Sequence, residues 1–562
     1  MKMFQRFRPS RWLCLAFLVF LSSLLLTTES LARMGGGHSY SGGSSSGSSS
    51  GSGRSSGGGS WGGGGSSSSR GGSWGGGSSN RSSGGGWGGA STYGRSSGSG
   101  SLYTNPNYNS HPVYSYEEHK TTFIEIVFLI LVIYILLRLL TQGSYSGKST
   151  TIRAKQPEIL DKLNLSLDNK ILTLKQNDPN FSKVLLIDFV CLIYHKFYSF
   201  RGSEQFRLLS PFVSKIIYDQ TISNVFYRQQ RIHNIVIGKA KIINILGWGH
   251  TDDIVIEFES NLTLQYLKTK EKVRLINREA WLFGRRTGLI SPQPEQMRTL
   301  SCPSCGAPAD FTDAGECKYC HSFVQAGEQQ WQVVKIDIID SQQFQTEDPG
   351  GYVEEVGTNF PTYVQTGLEI HASEFIRQHG LGDWKSFFIE FGEQVVKPYF
   401  LATYSAWSKG EWSKARHLVS DRLYESNGFW MDEYARLGWR NILENISIQK
   451  IEISRIDLDK FYDSLTVRVF ASCLDYTIDN QSKVIGGSIK KPRHFSEYWT
   501  FIRTAGVKKI DNEYDLKSCP SCGAPADKVG QTGICEYCGS KITEGQFSWV
   551  LAVITQDEAY EG

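Results

Sequence analysis

Apolar and polar residues alternate with different rhythms along the chain, and each rhythm predicts a different element. Val184–Phe197, Glu390–Lys409 and Trp412–Leu437 place apolar side chains at helical spacing. Pro398 is expected to kink the second of these or mark its start, because it cannot donate a backbone hydrogen bond. Ile232–Asn244, Ile254–Tyr266, Ile446–Ile456, Leu465–Cys473, Tyr498–Arg503 and Trp549–Thr555 alternate apolar with polar residues and are rich in β-branched and aromatic types, the pattern of half-buried strands. Helices followed by antiparallel strands predict an α+β arrangement with helices on one face of a sheet.

Two stretches are apolar throughout. Trp12–Leu26 follows Lys2, Arg6, Arg8 and Arg11 and precedes Ser30-Leu31-Ala32, so residues 1–32 read as a signal peptide. Thr121–Thr141 has the length of one transmembrane helix. Glu117 and Glu118 precede it, and Arg138, Lys148, Arg153 and Lys155 follow. By the positive-inside rule, the expectation is a single-pass protein of the cell membrane, with residues 33–120 exported and the C-terminal domains cytoplasmic. An uncleaved signal makes it two-pass. Residues 35–101 are almost wholly Gly and Ser and have too few aliphatic side chains to form a core, so the 33–120 segment is expected to be disordered. Within it, Trp61, Trp74 and Trp87 recur among Arg54, Arg70, Arg81 and Arg95.

Charge narrows the functional classes. The net +4 divides into about +7 over residues 1–120 (ten Lys or Arg against Glu29, Glu117 and Glu118) and about −3 over the rest. A mildly acidic folded part lacks the footprint of a nucleic-acid binder.

Cysteine spacing carries the sharpest chemical signal. Of 11 cysteines, Cys14 lies in the leader, and Cys191 and Cys473 sit in apolar contexts typical of core thiols. The remainder form Cys302-x-x-Cys305 … Cys317-x-x-Cys320 and Cys519-x-x-Cys522 … Cys535-x-x-Cys538. Each pair closes a knuckle that aims two thiolates at one point, and two knuckles complete a tetrahedron, the geometry of structural zinc. Gly306, Gly523 and Gly539 follow knuckle cysteines where a positive φ is expected; His321 stands at the fourth such place, as a turn residue or a spare ligand. Disulfides do not suit the expected compartment, and iron–sulfur spacings differ. The expectation is two structural zinc ions, in ribbons at 301–324 and 518–542. Four thiolates leave no open coordination position for catalysis.

The flanks of the quartets resemble each other. Glu279-Ala280-Trp281-Leu282-Phe283 precedes the first and Glu497-Tyr498-Trp499-Thr500-Phe501 the second. Trp331 and Trp549 follow them, and Trp281–Trp499 and Trp331–Trp549 share one offset. This is the signature of a tandem duplication in which each ribbon replaces a hairpin turn, exposed at the sheet end.

Asp178-Pro179-Asn180-Phe181, Leu418–Tyr424 within the Trp412–Gly438 segment, and Glu497–Phe501 resemble the Tim44-like domain, named for the subunit that tethers the mitochondrial import motor. The resemblance is good over 385–555 and poor over 177–338. It implies two cone-like domains related to the nuclear-transport-factor-two fold, each with an apolar pocket, and a role in membrane-proximal protein docking. The ribbons, the leader and the duplication depart from the family pattern. The resulting organisation is a linker at 142–176, a first repeat at 177–340, a linker at 341–380 and a second repeat at 381–558.

The leading functional expectation is a membrane-anchored, non-enzymatic scaffold that docks a protein partner and contacts the bilayer through its transmembrane helix. The alternative is a lipid or other apolar ligand in the cones, lined by Phe429, Trp430, Tyr434, Trp439 and Tyr476. Asp475-Tyr476 is the only pair worth examining for catalysis. The ribbons carry Asp310, Asp313 and Glu316 against Lys318, and Asp527 and Glu536 against Lys528 and Lys541, so neither suits a phosphate backbone.

Overall fold

The computed structural model describes residues 157–562 except 248, 313–314, 325, 345–355 and 508–514. All of them belong to one compact unit. The first half opens with α1 (Pro157–Asn177), α2 (Lys183–Phe200) and α3 (Lys215–Ser223). It continues with β1 (Gln230–Gly247), β2 (Thr251–Tyr266), β3 (Lys272–Arg286) and β4 (Gln332–Gln343), paired antiparallel in the order β1-β2-β3-β4. In the second half, α4 (Leu368–His379), α5 (Trp384–Phe391), α6 (Lys397–Lys409) and α7 (Asp421–Leu437) precede the strands. These are β5 (Arg440–Leu458), β6 (Tyr462–Ile478), β7 (Val484–Gly487), β8 (Arg493–Thr504) and β9 (Val550–Gln556), ordered β5-β6-β8-β9 with β7 on β6.

Local chemistry accounts for the boundaries. The Ser182 side chain caps α2 by accepting from the Leu185 amide, and Ser420 caps α7 by accepting from Leu423. Gly410 and Gly438 close α6 and α7 with left-handed φ. Pro398 lies in the first turn of α6, directly after a π-helical turn over Gly392–Val396; the wider turn absorbs the hydrogen bond that Pro398 cannot make. The expected Trp412–Leu437 helix divides into a 3-10 turn, Trp412–Leu418, and α7, because Val419 and Ser420 leave the helix to meet Leu551 of β9.

Both sheets bend at matching places. The β1–β2 register shifts at His233/Val236, Ile237/Lys239 and Ile242/Asn244; the β5–β6 register shifts at Glu444/Ser447, Ile448/Lys450 and Ile453/Arg455. Asn234 and Asn445, inside the first bulge of each set, take φ of 49° and 55°. Bulges sharpen twist, which lets each sheet wrap its helices.

The halves pack against each other. One core cluster unites α2 residues such as Leu185 and Phe189 with Tyr462, Ile502, Val550 and Ala552 of the second sheet. In return α7 lies against β1, and Phe344, just after β4, meets Phe429 and Trp430 at ring-centroid distances of 6.1 and 5.8 Å. Polar links frame the contact: Arg298–Glu544 at 2.8 Å, Arg455–Asp168 at 2.5 Å, Lys183–Asp457 at 3.0 Å and Arg274–Glu433 at 2.5 Å. Burial disfavours the Asp457 charge, but Arg455 and Lys183 outweigh it and hold that carboxyl well below the usual range.

Two expectations change. The presumed linker at 142–176 contains most of α1, whose Ile171 and Leu174 join the first core. Among the described residues no helix is long and apolar enough to cross a membrane. The most apolar run, α2, carries Lys183, Asp188 and Lys196 and owes its apolar character to burial. The expected leader, Gly/Ser segment and span at 121–141 lie outside the described residues. The described residues thus give no support to the transmembrane helix of the expected fold class, nor to the signal peptide, membrane anchor, bilayer contact and cell-membrane placement expected with it.

Candidate metal centres

Each quartet forms on the excursion between two adjacent strands, β3 and β4 in the first half and β8 and β9 in the second. The backbone builds the knuckles. Gly306 N donates to Cys302 O and Gly523 N to Cys519 O, both at 2.8 Å; His321 N donates to Cys317 O at 2.9 Å and Gly539 N to Cys535 O at 2.8 Å. All four turn residues have positive φ: 75° at Gly306 and Gly523, 70° at Gly539 and 57° at His321. Small bridges repeat as well, with Ser301–Pro308, Phe311–Cys317 and Glu316–Phe323 answered by Ser518–Pro525, Val529–Cys535 and Ile534–Lys541. Each ribbon has a miniature core, Phe311 and Val324 in one and Val529 and Ile542 in the other.

The thiols converge. Sulfurs of Cys302, Cys305, Cys317 and Cys320 all lie within 4.8 Å of one another, as do those of Cys519, Cys522, Cys535 and Cys538. Cys302–Cys320 and Cys305–Cys317 are 4.0 Å apart and Cys522–Cys535 3.8 Å. A tetrahedral ion with metal–sulfur bonds of ~2.3 Å requires sulfur separations of ~3.8 Å. The protein alone does not ionise all four. Burial pushes the Cys302 and Cys519 thiols up to about 12, whereas hydrogen bonds from Ser322 and Ser540 draw Cys320 and Cys538 down to about 6. A bound cation would supply the missing stabilisation of thiolate charge.

His321 is not a ligand. Its Nδ1 lies 3.0 Å from Glu316 Oε1 on an exposed face. It holds a turn that glycine adopts without strain, so His321→Gly should stabilise the first ribbon by about 1 kcal/mol, read as a rise in the melting temperature of the metal-loaded chain. A fall would show that the Glu316 contact outweighs backbone strain.

The ribbons are not free-standing tips, as the sequence had suggested. Arg207 donates to Phe311 O at 2.5 Å and to Asp310 at 3.1 Å, and Arg416 donates to Gln531 O at 2.6 Å. Helical arginines thus clamp both ribbons back onto their own halves.

A buried glutamate organises a polar network in each half. Glu279 accepts from Tyr198 at 2.7 Å, Tyr194 at 3.2 Å, Asn277 at 3.1 Å and Trp281 at 2.6 Å; Glu497 accepts from Tyr404 at 2.8 Å and Trp499 at 3.0 Å. Burial, reinforced by Glu279, raises the Tyr194 and Tyr198 phenols well above their ordinary range, so they remain donors. The Glu-x-Trp signature is therefore a core network, a role that two carboxylates flanked by aromatics did not disclose in sequence. Asp178 and Phe181 are structural too: Asp178 pairs with buried Arg285 at 2.8 Å and Phe181 is buried.

The residues named for an apolar pocket divide between different surroundings. Phe429 and Trp430 are spent on Phe344, while Tyr434 and Trp439 line a cavity of about 420 Å³ together with Trp407, Trp412, Tyr424 and Met431. Tyr476 is not among its lining residues. Asp475 is paired with Arg493 at 2.8 Å and Asn441 at 2.8 Å, a structural use of the pair considered for catalysis.

Among known proteins, the family model for the Tim44-like domain matches residues 390–518, under a quarter of the chain, and its match stops one residue before Cys519. No curated protein matches the chain. Residues 390–518 of the chain thus form a Tim44-like domain, a family of non-catalytic scaffold domains.

Proposed function

We propose that this protein is a non-enzymatic docking scaffold: two related α+β halves, each bearing a structural zinc ion in a four-cysteine ribbon, that present the ribbon ends to a protein partner. The carrying observation is the double quartet, Cys302, Cys305, Cys317 and Cys320 with Cys519, Cys522, Cys535 and Cys538, each converged to within one ion's coordination sphere. Zinc fits because the donor set is all thiolate and closed. Tandem duplication is supported by the shared bulge positions, the paired Glu279/Glu497 networks and the matching arginines, Arg285 over Trp331 at 4.2 Å and Arg503 over Trp549 at 4.5 Å. Docking at the ribbons is supported by Tyr319 and Tyr537, which occupy the same place in the two second knuckles and are both 59% or more exposed.

Native mass spectrometry of the purified chain should show two zinc ions, lost to a chelator. Photo-crosslinkers at Tyr319 and Tyr537 in the host cell should then give one discrete adduct that disappears in Cys519→Ser/Cys522→Ser. Fewer than two ions removes the zinc assignment. A ladder of unrelated adducts, unchanged by the cysteine substitutions, removes the docking role.

A further inference from the structure

The second ribbon is tied to α7 by a lattice of charges. Asp421, the first residue of α7, receives Lys541 at 2.5 Å and Thr543 at 2.9 Å from the ribbon, and pairs with Arg416. Arg416 is almost fully buried; it donates to Gln531 O at 2.6 Å and Val419 O at 3.0 Å, and lies over the Tyr424 ring at 4.7 Å. Lys541 also donates to Thr532 O at 2.5 Å. The loop between the knuckles comes so close that a Cβ at Gly533, whose φ is 73°, would sit 2.7 Å from Arg416 and 2.4 Å from Thr543. Gln531 of that same loop forms part of the wall of the aromatic cavity, opposite Tyr424, Met431 and Asp432 of α7.

Among the described residues, the first ribbon shows a thinner tie. Arg207 is about a third exposed and reaches Asp310 and Phe311 of the ribbon; α3 starts at Lys215, and its Ser214 cap makes no side-chain cap hydrogen bond.

We infer that the second ribbon is a metal-dependent latch: when its four cysteines hold a metal ion, the Gln531–Gly533 loop is fixed against Arg416 and Asp421, which orders the first turn of α7 and closes one wall of the aromatic cavity. This rests on the metal assignment proposed above. The latch has reach. At 17 residues α7 is about 25 Å long, and its far end carries Glu433, which meets Arg274 of the first half. Metal occupancy of one ribbon thus bears on the helix that joins the halves. Ser420 stays tied to Leu551 O at 2.9 Å, so the latch loosens the first turn without freeing the whole helix.

Hydrogen exchange on the full metal-loaded chain, read by mass spectrometry over 421–428, tests it. A zinc chelator should speed exchange there roughly tenfold or more, the scale expected when charge-assisted hydrogen bonds at a helix end are lost. Cys519→Ser/Cys522→Ser should do the same without chelator, and Cys302→Ser/Cys305→Ser should not. Lys541→Ala should retain both ions in native mass spectrometry yet exchange fast before chelation. If emptying the second ribbon leaves 421–428 unchanged while two ions are present beforehand, the latch is wrong and the zinc reading stands. If exchange rises equally in α6 and β6, the effect is global unfolding and the latch is again wrong. A chain that binds no metal overturns both.

Discussion

Cys519→Ser/Cys522→Ser is expected to destabilise the second half by on the order of 3–5 kcal/mol, a fall of roughly 10 °C in melting temperature, while Cys302→Ser/Cys305→Ser costs much less. Binding of structural zinc to small loops yields apparent free energies of ~10–16 kcal/mol, and a ribbon with so few apolar residues in its core gains little order from burial. The difference between the two lies in what each ribbon leaves behind. Loss of the second strands Arg416, almost fully buried, without Gln531 and with Asp421 freed from Lys541 and Thr543. Loss of the first leaves Arg207 partly exposed, where water replaces Asp310 and Phe311 at little cost. Scanning calorimetry with each pair of substitutions reads the difference. Equal losses would mean that the Arg416 lattice contributes nothing beyond the metal.

The second large effect is expected at Arg468. Its guanidinium is buried on β6 and bonds Asp557 at 2.5 and 2.8 Å, Phe360 O at 2.8 Å, Thr362 at 3.0 Å and Gly357 O at 3.0 Å. These groups come from the C-terminus and from the segment joining the halves, so one side chain fastens two distant pieces of chain to the second sheet. Tyr560 adds a stack on Tyr498 at 3.7 Å, and the Glu561 carbonyl accepts from Asn164 of α1 at 2.6 Å. Asp557→Ala should cost about 3–5 kcal/mol, because it leaves a buried cation without its anion. Arg468→Met with Asp557→Leu should recover much of that, since replacing both charges removes the desolvation penalty together with the attraction. Denaturant unfolding of the two variants decides it; a double variant no better than the single would show that the carbonyl contacts, rather than the ion pair, set the cost.

Much of the fold was legible in the chain because its signals are local. Alternation in Leu465–Cys473 marks a strand whatever surrounds it, and the stretch lies within β6. The knuckles were legible because four cysteines and the residues that follow them fix their own turns, as the φ values of Gly306, Gly523 and Gly539 show. Boundaries were less legible. β5 begins six residues before the expected Ile446, because Arg440–Glu444 are extended by pairing with Ile478–Leu474 rather than by their own propensity. The strand ends, the π-helical turn before Pro398 and the helical α1 depend on partners far away in sequence.

What the sequence determined by itself was the α+β order of elements and the two thiol quartets, because periodicity and C-x-x-C spacing are properties of neighbours along the chain. Tertiary structure alone decided that α2 and α7 each reach across to the other half, that Glu279 and Glu497 are core acceptors, and that Arg416 binds the second ribbon more deeply than Arg207 binds the first. Each of these depends on which side chains are brought together and shut away from water. A buried charge finds its partner at distances of a few ångströms through space, across separations such as the 115 residues between Arg416 and Gln531 that no local pattern spans.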